Sequence, residues 1–212
     1  MNWLIVAGGE APSHVLLHKC AGMAERIVAV DGAADLLHRE CIQPDALIGD
    51  FDTASAFAIE ALAAMGAQMV RLPTAKNMTD TEAAMDFALD AGASNITLLG
   101  ALGGRMDHAM SNVGMLLRAH RHGSACRILD DINELFVAEE SCILEGDPGQ
   151  TVSIVPLTGN LVVTAEGLEY PLEELSLPFG SSRGVSNRML SPTARLHISG
   201  GIALIIRILN NA

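Results

Sequence analysis

The sequence predicts an α/β protein in which a parallel sheet covered by helices occupies the N-terminal part and a smaller all-β part follows. Two observations predict it. From Met1 to about Asp131, short β-rich apolar runs alternate with longer Ala/Leu-rich segments of helical character, the pattern of strands joined by crossover helices. After about Ile132 the long helical patterns stop, and short apolar runs alternate with Gly, Pro, Ser and Asn clusters. The expected division is therefore 1–132 and 133–212. At 212 residues, half of them hydrophobic, the chain has material for a core in each part.

In chain order, strands are expected near Trp3–Ala7, Ile27–Val30, Ala46–Ile48, Gln68–Leu72, Ile96–Leu99 and Cys126–Leu129. Helices are expected between them at His14–Ala21, Ala33–Glu40, Ser55–Met65, Asp80–Ala91 and Asp107–Arg121. In the last helix Met110, Val113, Leu116 and Leu117 recur at helical spacing and predict its apolar face. In the second part, Glu134–Ala138, Thr151–Val155, Leu161–Ala165, Arg195–Ile198 and Ala203–Ile208 read as strands. Asp147–Pro148–Gly149 and Thr158–Gly159–Asn160 fall where hairpins would need turns.

Composition narrows the function. With 25 acidic against 13 basic residues the formal charge is −12, a field that repels nucleic-acid backbones. Aromatics are only 3%, too few for a base-stacking surface. An anionic substrate would meet the same repulsion unless a cation bridged it to the protein. The cysteines, Cys20, Cys41, Cys126 and Cys142, show no CxxC pairing, which speaks for a reducing cytoplasm and against a zinc knuckle. Apolar runs are too short for a signal peptide or a membrane helix, so a soluble protein is expected, with neither membrane nor nucleic acid as partner.

The chemistry concentrates at strand ends. Asp31 follows Ile27–Val30, and Gly49–Asp50–Phe51–Asp52 follows Ala46–Ile48, so these carboxylates lie at carboxyl ends of strands, where open parallel sheets bind ligands. A single Asp-Gly can simply start a turn. Asp50 and Asp52, two apart after a glycine, can point oxygens at one hard cation such as Mg²⁺. In Lys76–Asn77–Met78–Thr79–Asp80–Thr81–Glu82, Thr79 and Glu82 have capping-box spacing and Asp80 suits a helix dipole. Capping leaves Lys76 unexplained. It is one of only two lysines, and its charge can meet a metal-held phosphate. Gly100–Ala–Leu–Gly103–Gly104–Arg105–Met–Asp107–His108 links a strand to a helix. Its glycines let backbone approach a ligand, Arg105 suits phosphate oxygens, and Asp107 can accept a hydrogen bond from an amine or hold an attacking hydroxyl. His108 also reads as a helix-start histidine satisfied locally. Neither GxxxxGK[ST] nor GxGxxG occurs, so a nucleotide would have to be held by metal and these loops.

Asp31–Gly–Ala, Pro44–Asp45 with Gly49–Asp50–Phe51–Asp52–Thr53, Lys76 to Glu82, and Gly103–Gly104–Arg105–Met–Asp107–His108 together resemble the successive motifs of thiamine pyrophosphokinases. Glu166–Gly–Leu–Glu–Tyr170–Pro–Leu and Gly184–Val–Ser186–Asn187 resemble that family's β-domain signatures. The resemblance implies a catalytic α/β domain, a C-terminal β-sandwich, and a homodimer binding thiamine at the subunit interface. It implies ATP as co-substrate, Mg²⁺ held by Asp50, Asp52 and Asp80, and catalysis through these with Arg105 and Asp107. Asp31, Lys76, Thr79, Glu82, Gly103 and Gly104 would contact the nucleotide, and Asp107, His108, Ser186 and Asn187 the acceptor. Two positions depart from the pattern: Asn77 stands where Asp is usual, and Arg188 where Glu is. Two rival readings are a pyrophosphokinase for another alcohol, such as a pterin, and a nucleotide- or thiamine-binding regulator without turnover.

Overall fold

The computed structural model describes residues 1–209; residues 210–212, the end of the second expected domain, lie outside the described residues. The chain divides into two compact units, Met1–Asp130 and the part from Asp131 onward.

The first unit contains β1 (Asn2–Val6), α1 (His14–Met23), β2 (Arg26–Val30), α2 (Ala33–Arg39), β3 (Ala46–Gly49), α3 (Ala56–Ala64), β4 (Gln68–Arg71), α4 (Asp80–Asp90), β5 (Asn95–Leu99), α5 (Met106–Arg121) and β6 (Ala125–Leu129). Its strands lie in the order β6-β5-β1-β2-β3-β4, and each paired neighbour is parallel. Helices on both faces explain why β1 reads as a continuous apolar run instead of an alternating one. Leu4 and Val6 join an apolar cluster with Leu17, Leu37, Leu47 and Leu62, while Trp3 meets Phe87 of α4 edge-on at 5.9 Å. Serine or threonine caps start three helices: Ser13 accepts from Leu16 N, Ser55 from Ala58 N and Thr79 from Glu82 N.

The apolar face expected for α5 is displaced. Met110 is 64% exposed, and Val113 and Leu117 are only half-buried. The buried stripe runs through Ala109, Asn112, Met115, Leu116 and Ala119. Small alanines flank Met115 and Leu116 on the buried face, which large apolar side chains alone therefore do not mark.

The second unit contains β7 (Asn133–Ala138), β8 (Ser141–Glu145), β9 (Thr151–Pro156), β10 (Leu161–Glu166), β11 (Leu172–Leu177), β12 (Asn187–Arg188), β13 (Thr193–Ser199) and β14 (Ala203–Ile208). They form two antiparallel sets, β12-β9-β14-β7 and β11-β10-β13-β8. Val152, Ile154 and Ile205 of the first share one apolar cluster with Leu144, Val163 and Leu196 of the second, which makes the unit a sandwich. The turns at Asp147–Gly149 and Thr158–Asn160, expected from their composition to close hairpins, do not. Each carries the chain from one sheet to the other, since β8 pairs with β13 while β9 pairs with β14 and β12.

Three strands escape the sequence pattern. β8 sends only Leu144 fully inward, and β12 has two residues. In β11 the two buried leucines, Leu172 and Leu177, are out of phase with two-residue alternation. A register shift opposite Val163 and Ala165, with Glu174 at φ 47°, accounts for the change of phase. The four cysteines are free thiols, and among the described residues no helix is long and apolar enough to cross a membrane.

Leu47, fully buried in β3, underlies the loop that carries Asp50. Leu47→Ala is expected to destabilise the first unit by about 2–5 kcal/mol, read from its urea unfolding midpoint.

Candidate active site

The strand order places a topological switch between β1 and β5, because the chain leaves β1 toward β2 on one side and β5 adjoins β1 on the other. A crevice opens outside such strand ends. Here it is a cleft of about 770 Å³, bordered by Gly8, Gly9 and Glu10 after β1 and by Gly100 to Arg105 after β5. The two loops are joined backbone to backbone. Ala7 N donates to Leu99 O at 2.8 Å, Gly9 N to Gly100 O at 2.8 Å, and Glu10 N to Leu102 O at 2.9 Å. A Cβ on Gly9 would stand 2.4 Å from Gly100 O, and one on Gly100, whose φ is 64°, would stand 2.3 Å from Ala7 O. Only glycine fits at either position. Asn112 of α5 fixes this turn from behind, donating from Nδ2 to Ala101 O at 2.7 Å.

Gly8–Gly9–Glu10 was not picked out from the sequence. The available signal was a glycine pair at the carboxyl end of the first strand, the same position logic that marked Asp31 and Asp50.

Asp31, Asp50 and Asp52 each offer a carboxylate oxygen, and these oxygens lie within 4.8 Å of one another. Local backbone creates this meeting. Asp31 (φ 46°) and Phe51 (φ 61°) are left-handed, a conformation that costs a non-glycine residue energy. Gly49 brings the loop so near Asp31 that an added Cβ would lie 3.1 Å from the Asp31 Cβ. Asp52 N donates to Asp50 Oδ1 at 3.3 Å, closing the tip, while Arg71 holds its base by donating to Asp50 O at 3.3 Å and covering the Phe51 ring.

The site is electrostatically incomplete. Thr53 Oγ1 donates to Asp31 Oδ2, but the buried Asp31 Oδ1 has no hydrogen-bond partner. The neighbouring charge of Asp50, then burial and Asp31, push the pKa of Asp52 up. An oxygen-only donor set with an orphaned buried oxygen suits a hard divalent cation of the Mg²⁺ class.

The carboxylates expected to share that cation were Asp50, Asp52 and Asp80. The structure gathers Asp31 with the first two and joins Asp80 through Lys76, whose Nζ lies 3.0 Å from Asp80 and 3.7 Å from Asp50. Burial opposes the Lys76 charge, yet Asp80 first and then Asp50 outweigh it and raise the pKa of the amine. Lys76, Thr79, Asp80, Gly103, Gly104, Arg105 and His108 all border the cleft. Glu82 points elsewhere, pairing with Arg118 of α5 at 3.3 Å, and does not reciprocate the Thr79 cap.

Arg105 and Asp107 face each other. The guanidinium donates from Nε at 3.2 Å and Nη2 at 2.6 Å to the two carboxylate oxygens, and both side chains are exposed. These bonds from Arg105, opposed by desolvation and aided by His108 N, hold the Asp107 carboxyl down at about 2.

In the second unit, Ser186 is exposed and left-handed (φ 62°), with its N donating to Ser153 Oγ at 3.0 Å. Asn187 is buried and its amide is committed to backbone. Its Oδ1 accepts from Tyr170 N at 3.0 Å and from Arg188 N at 2.8 Å, and its Nδ2 donates to Tyr170 O at 2.8 Å. It therefore clamps the Leu168–Tyr170 turn onto β12. Arg188, at the second departure from the family pattern, is exposed.

Residues 17–128 match the family model described as thiamin pyrophosphokinase, catalytic domain, and residues 141–202 match thiamin pyrophosphokinase, vitamin B1 binding domain. The chain is similar to the thiamine pyrophosphokinase of Bacillus subtilis (strain 168), 25% identical over 183 residues that cover 85% of this chain and 86% of that protein. It is 28% identical over 197 residues to thiamin pyrophosphokinase 1 of Caenorhabditis elegans, covering 86% of this chain and 79% of the relative. The crystal structure of thiamin pyrophosphokinase from Geobacillus thermodenitrificans superposes with a TM-score of 0.85 at 28% identity, covering 100% of this chain and 99% of that one.

A carboxyl whose folded pKa is depressed contributes stability above its ordinary value, and that contribution is lost as pH falls through the folded value, here about 2. Carbon-detected NMR titration should find Asp107 near 2, and Arg105→Gln should return it toward about 3.9. Asn187→Ala leaves the Tyr170 amide groups unmet and is expected to cost about 1–3 kcal/mol in urea unfolding.

Proposed function

The chain belongs to the thiamin pyrophosphokinase family, and on that premise we propose how its own residues carry the diphosphate transfer. The reaction proposed is attack of the thiamine hydroxyl oxygen on the β-phosphorus of ATP. The bond from that phosphorus to the oxygen bridging it to the α-phosphorus breaks, AMP leaves with the bridging oxygen, and the hydroxyl proton passes to solvent or to an acidic side chain. The observation that carries this reading is the meeting of Asp50 and Asp52 with Asp31, which lines the glycine-bordered cleft together with Lys76.

In such transfers alignment and charge neutralisation supply most of the acceleration. Mg²⁺ would be held by Asp50 and Asp52 with Asp31, whose unpartnered oxygen fits that task, and by Asp80 once phosphate oxygens take its place at Lys76. When bound, such an ion supplies positive charge to the transferring phosphoryl oxygens. Lys76 adds a second positive charge at the same mouth. The backbone of Gly103 and Gly104 borders the nucleotide, with Thr79 nearby, and Glu82 acts indirectly by positioning α4 against Arg118. Arg105 serves phosphate oxygens after leaving Asp107. Asp107, released from that pair, is then available with His108 to orient the acceptor.

The acceptor side is supplied by the second unit, and we read the working state as a homodimer with thiamine at the subunit interface. Tyr170, Phe179, Val185 and Leu190 are exposed in that unit, apolar side chains of the sort that enclose a heteroaromatic ligand. Ser186 is exposed beside Val185, while the buried Asn187 next to it holds the Tyr170 backbone. Free thiols throughout fit a cytoplasmic enzyme.

Purified protein supplied with ATP, Mg²⁺ and thiamine should yield AMP and thiamine diphosphate in equal amounts by mass spectrometry. Asp52→Asn should lower kcat by at least about 100-fold with the thermal midpoint unchanged or raised, since it removes one of three mutually repelling charges. Near-normal AMP formation by that variant would overturn the assignment of the carboxylates.

A further inference from the structure

A second group of ligating side chains lies away from the cleft. His14 and His18 stand one turn apart on the exposed side of α1, with ring centroids 4.2 Å apart, and Glu40, immediately after α2, reaches both. Its Oε2 lies 2.5 Å from His14 Nδ1 and 3.5 Å from His18 Nε2, and one ligand atom from each of the three residues falls within a 4.8 Å span.

We propose that His14, His18 and Glu40 form a transition-metal site of the Zn²⁺ class that ties α1 to the end of α2. The donor chemistry separates it from the cleft. Two imidazoles and one carboxylate suit a borderline ion such as Zn²⁺, whereas the oxygen-only set at Asp31, Asp50 and Asp52 suits a hard ion. Histidines at i and i+4 on a helix present nitrogens to one ion, and a third ligand from another element leaves a fourth position for water.

The geometry needs little adjustment. Ligand bonds of about 2.0–2.1 Å in a tetrahedron separate neighbouring donor atoms by about 3.3 Å. The Glu40–His18 separation of 3.5 Å is close to that already. The Glu40–His14 contact at 2.5 Å is a direct hydrogen bond that an inserted ion would replace, and the His14 side chain is 70% exposed and free to turn. Glu40 is 17% exposed and gives the site its fixed point. Arg39 Nε lies 3.6 Å from the other oxygen, Oε1, and so competes for the carboxylate without covering Oε2.

α1 follows the loop of Gly8 to Glu10, and α2 follows Asp31, so the clamp joins the helices that leave two borders of the cleft.

The test uses untagged protein titrated with Zn²⁺ by calorimetry in excess Mg²⁺, which occupies oxygen sites and does not compete for imidazole. One equivalent should bind with micromolar or tighter affinity. His18→Gln and His14→Gln should each weaken it at least tenfold while leaving diphosphate transfer unchanged. Cu²⁺ in place of Zn²⁺ should show nitrogen superhyperfine lines in its EPR spectrum, reduced in either variant. A thermal midpoint that rises with Zn²⁺ in the parent protein but not in His18→Gln would support the clamp. Zn²⁺ binding that survives both histidine variants, or is lost instead in Asp52→Asn, overturns the proposal, as does a Cu²⁺ spectrum without nitrogen coupling.

Discussion

Like-charge repulsion among Asp31, Asp50 and Asp52 is the constraint around which the first unit is arranged. Side chains of the same sign avoid each other unless something positive stands between them. Two left-handed non-glycine residues, a glycine pressed against Asp31, an arginine gripping the loop base and a lysine at its edge all serve to hold this meeting together. A fold under selection for stability alone would let the loop relax. The loop is held against both strain and charge, and the proposed cation site rests on that arrangement.

Much of the first unit was legible because its elements obey simple periods. Buried parallel strands appear as apolar runs, and Ser13, Ser55 and Thr79 announce helix starts through chemistry visible in the chain. The second unit was less legible. Each sandwich strand is short, and the information that decides its phase lies in its partner: β11 changes register through a bulge that nothing in Leu172–Leu177 itself announces. Met110 misled for a related reason, since a large apolar residue on a helix says nothing about which neighbour is close enough to cover it.

The site divides in the same way. Strand-end position sufficed to single out Asp31 and the Asp50–Asp52 pair, because the sheet brings separate strand ends together. Which carboxylates touch depends on φ at Asp31 and Phe51, and that is invisible in residue type. The Gly8–Gly9–Glu10 loop was missed because Gly9 serves an approach to Gly100, just after a strand some ninety positions later in the chain. Asn187 carries the same lesson. A polar residue in a family signature reads as a ligand contact, yet its amide is spent on the Tyr170 backbone, so the signature records a local shape as well as chemistry.

The path of the chain through the sandwich bears on how the protein is made. Nearly every step along the second unit changes sheet, and Ala138 waits for Ala203 as its partner in the ladder; β10 with β11 is the sequence-adjacent pair. Pairings so remote demand that long loops close before they are rewarded, which slows folding. On the ribosome, the half that gathers the carboxylates can mature while most of its companion is still unsynthesised. The sandwich must then await its last strand, and in that interval its apolar strands are the part of the molecule most in need of chaperone protection.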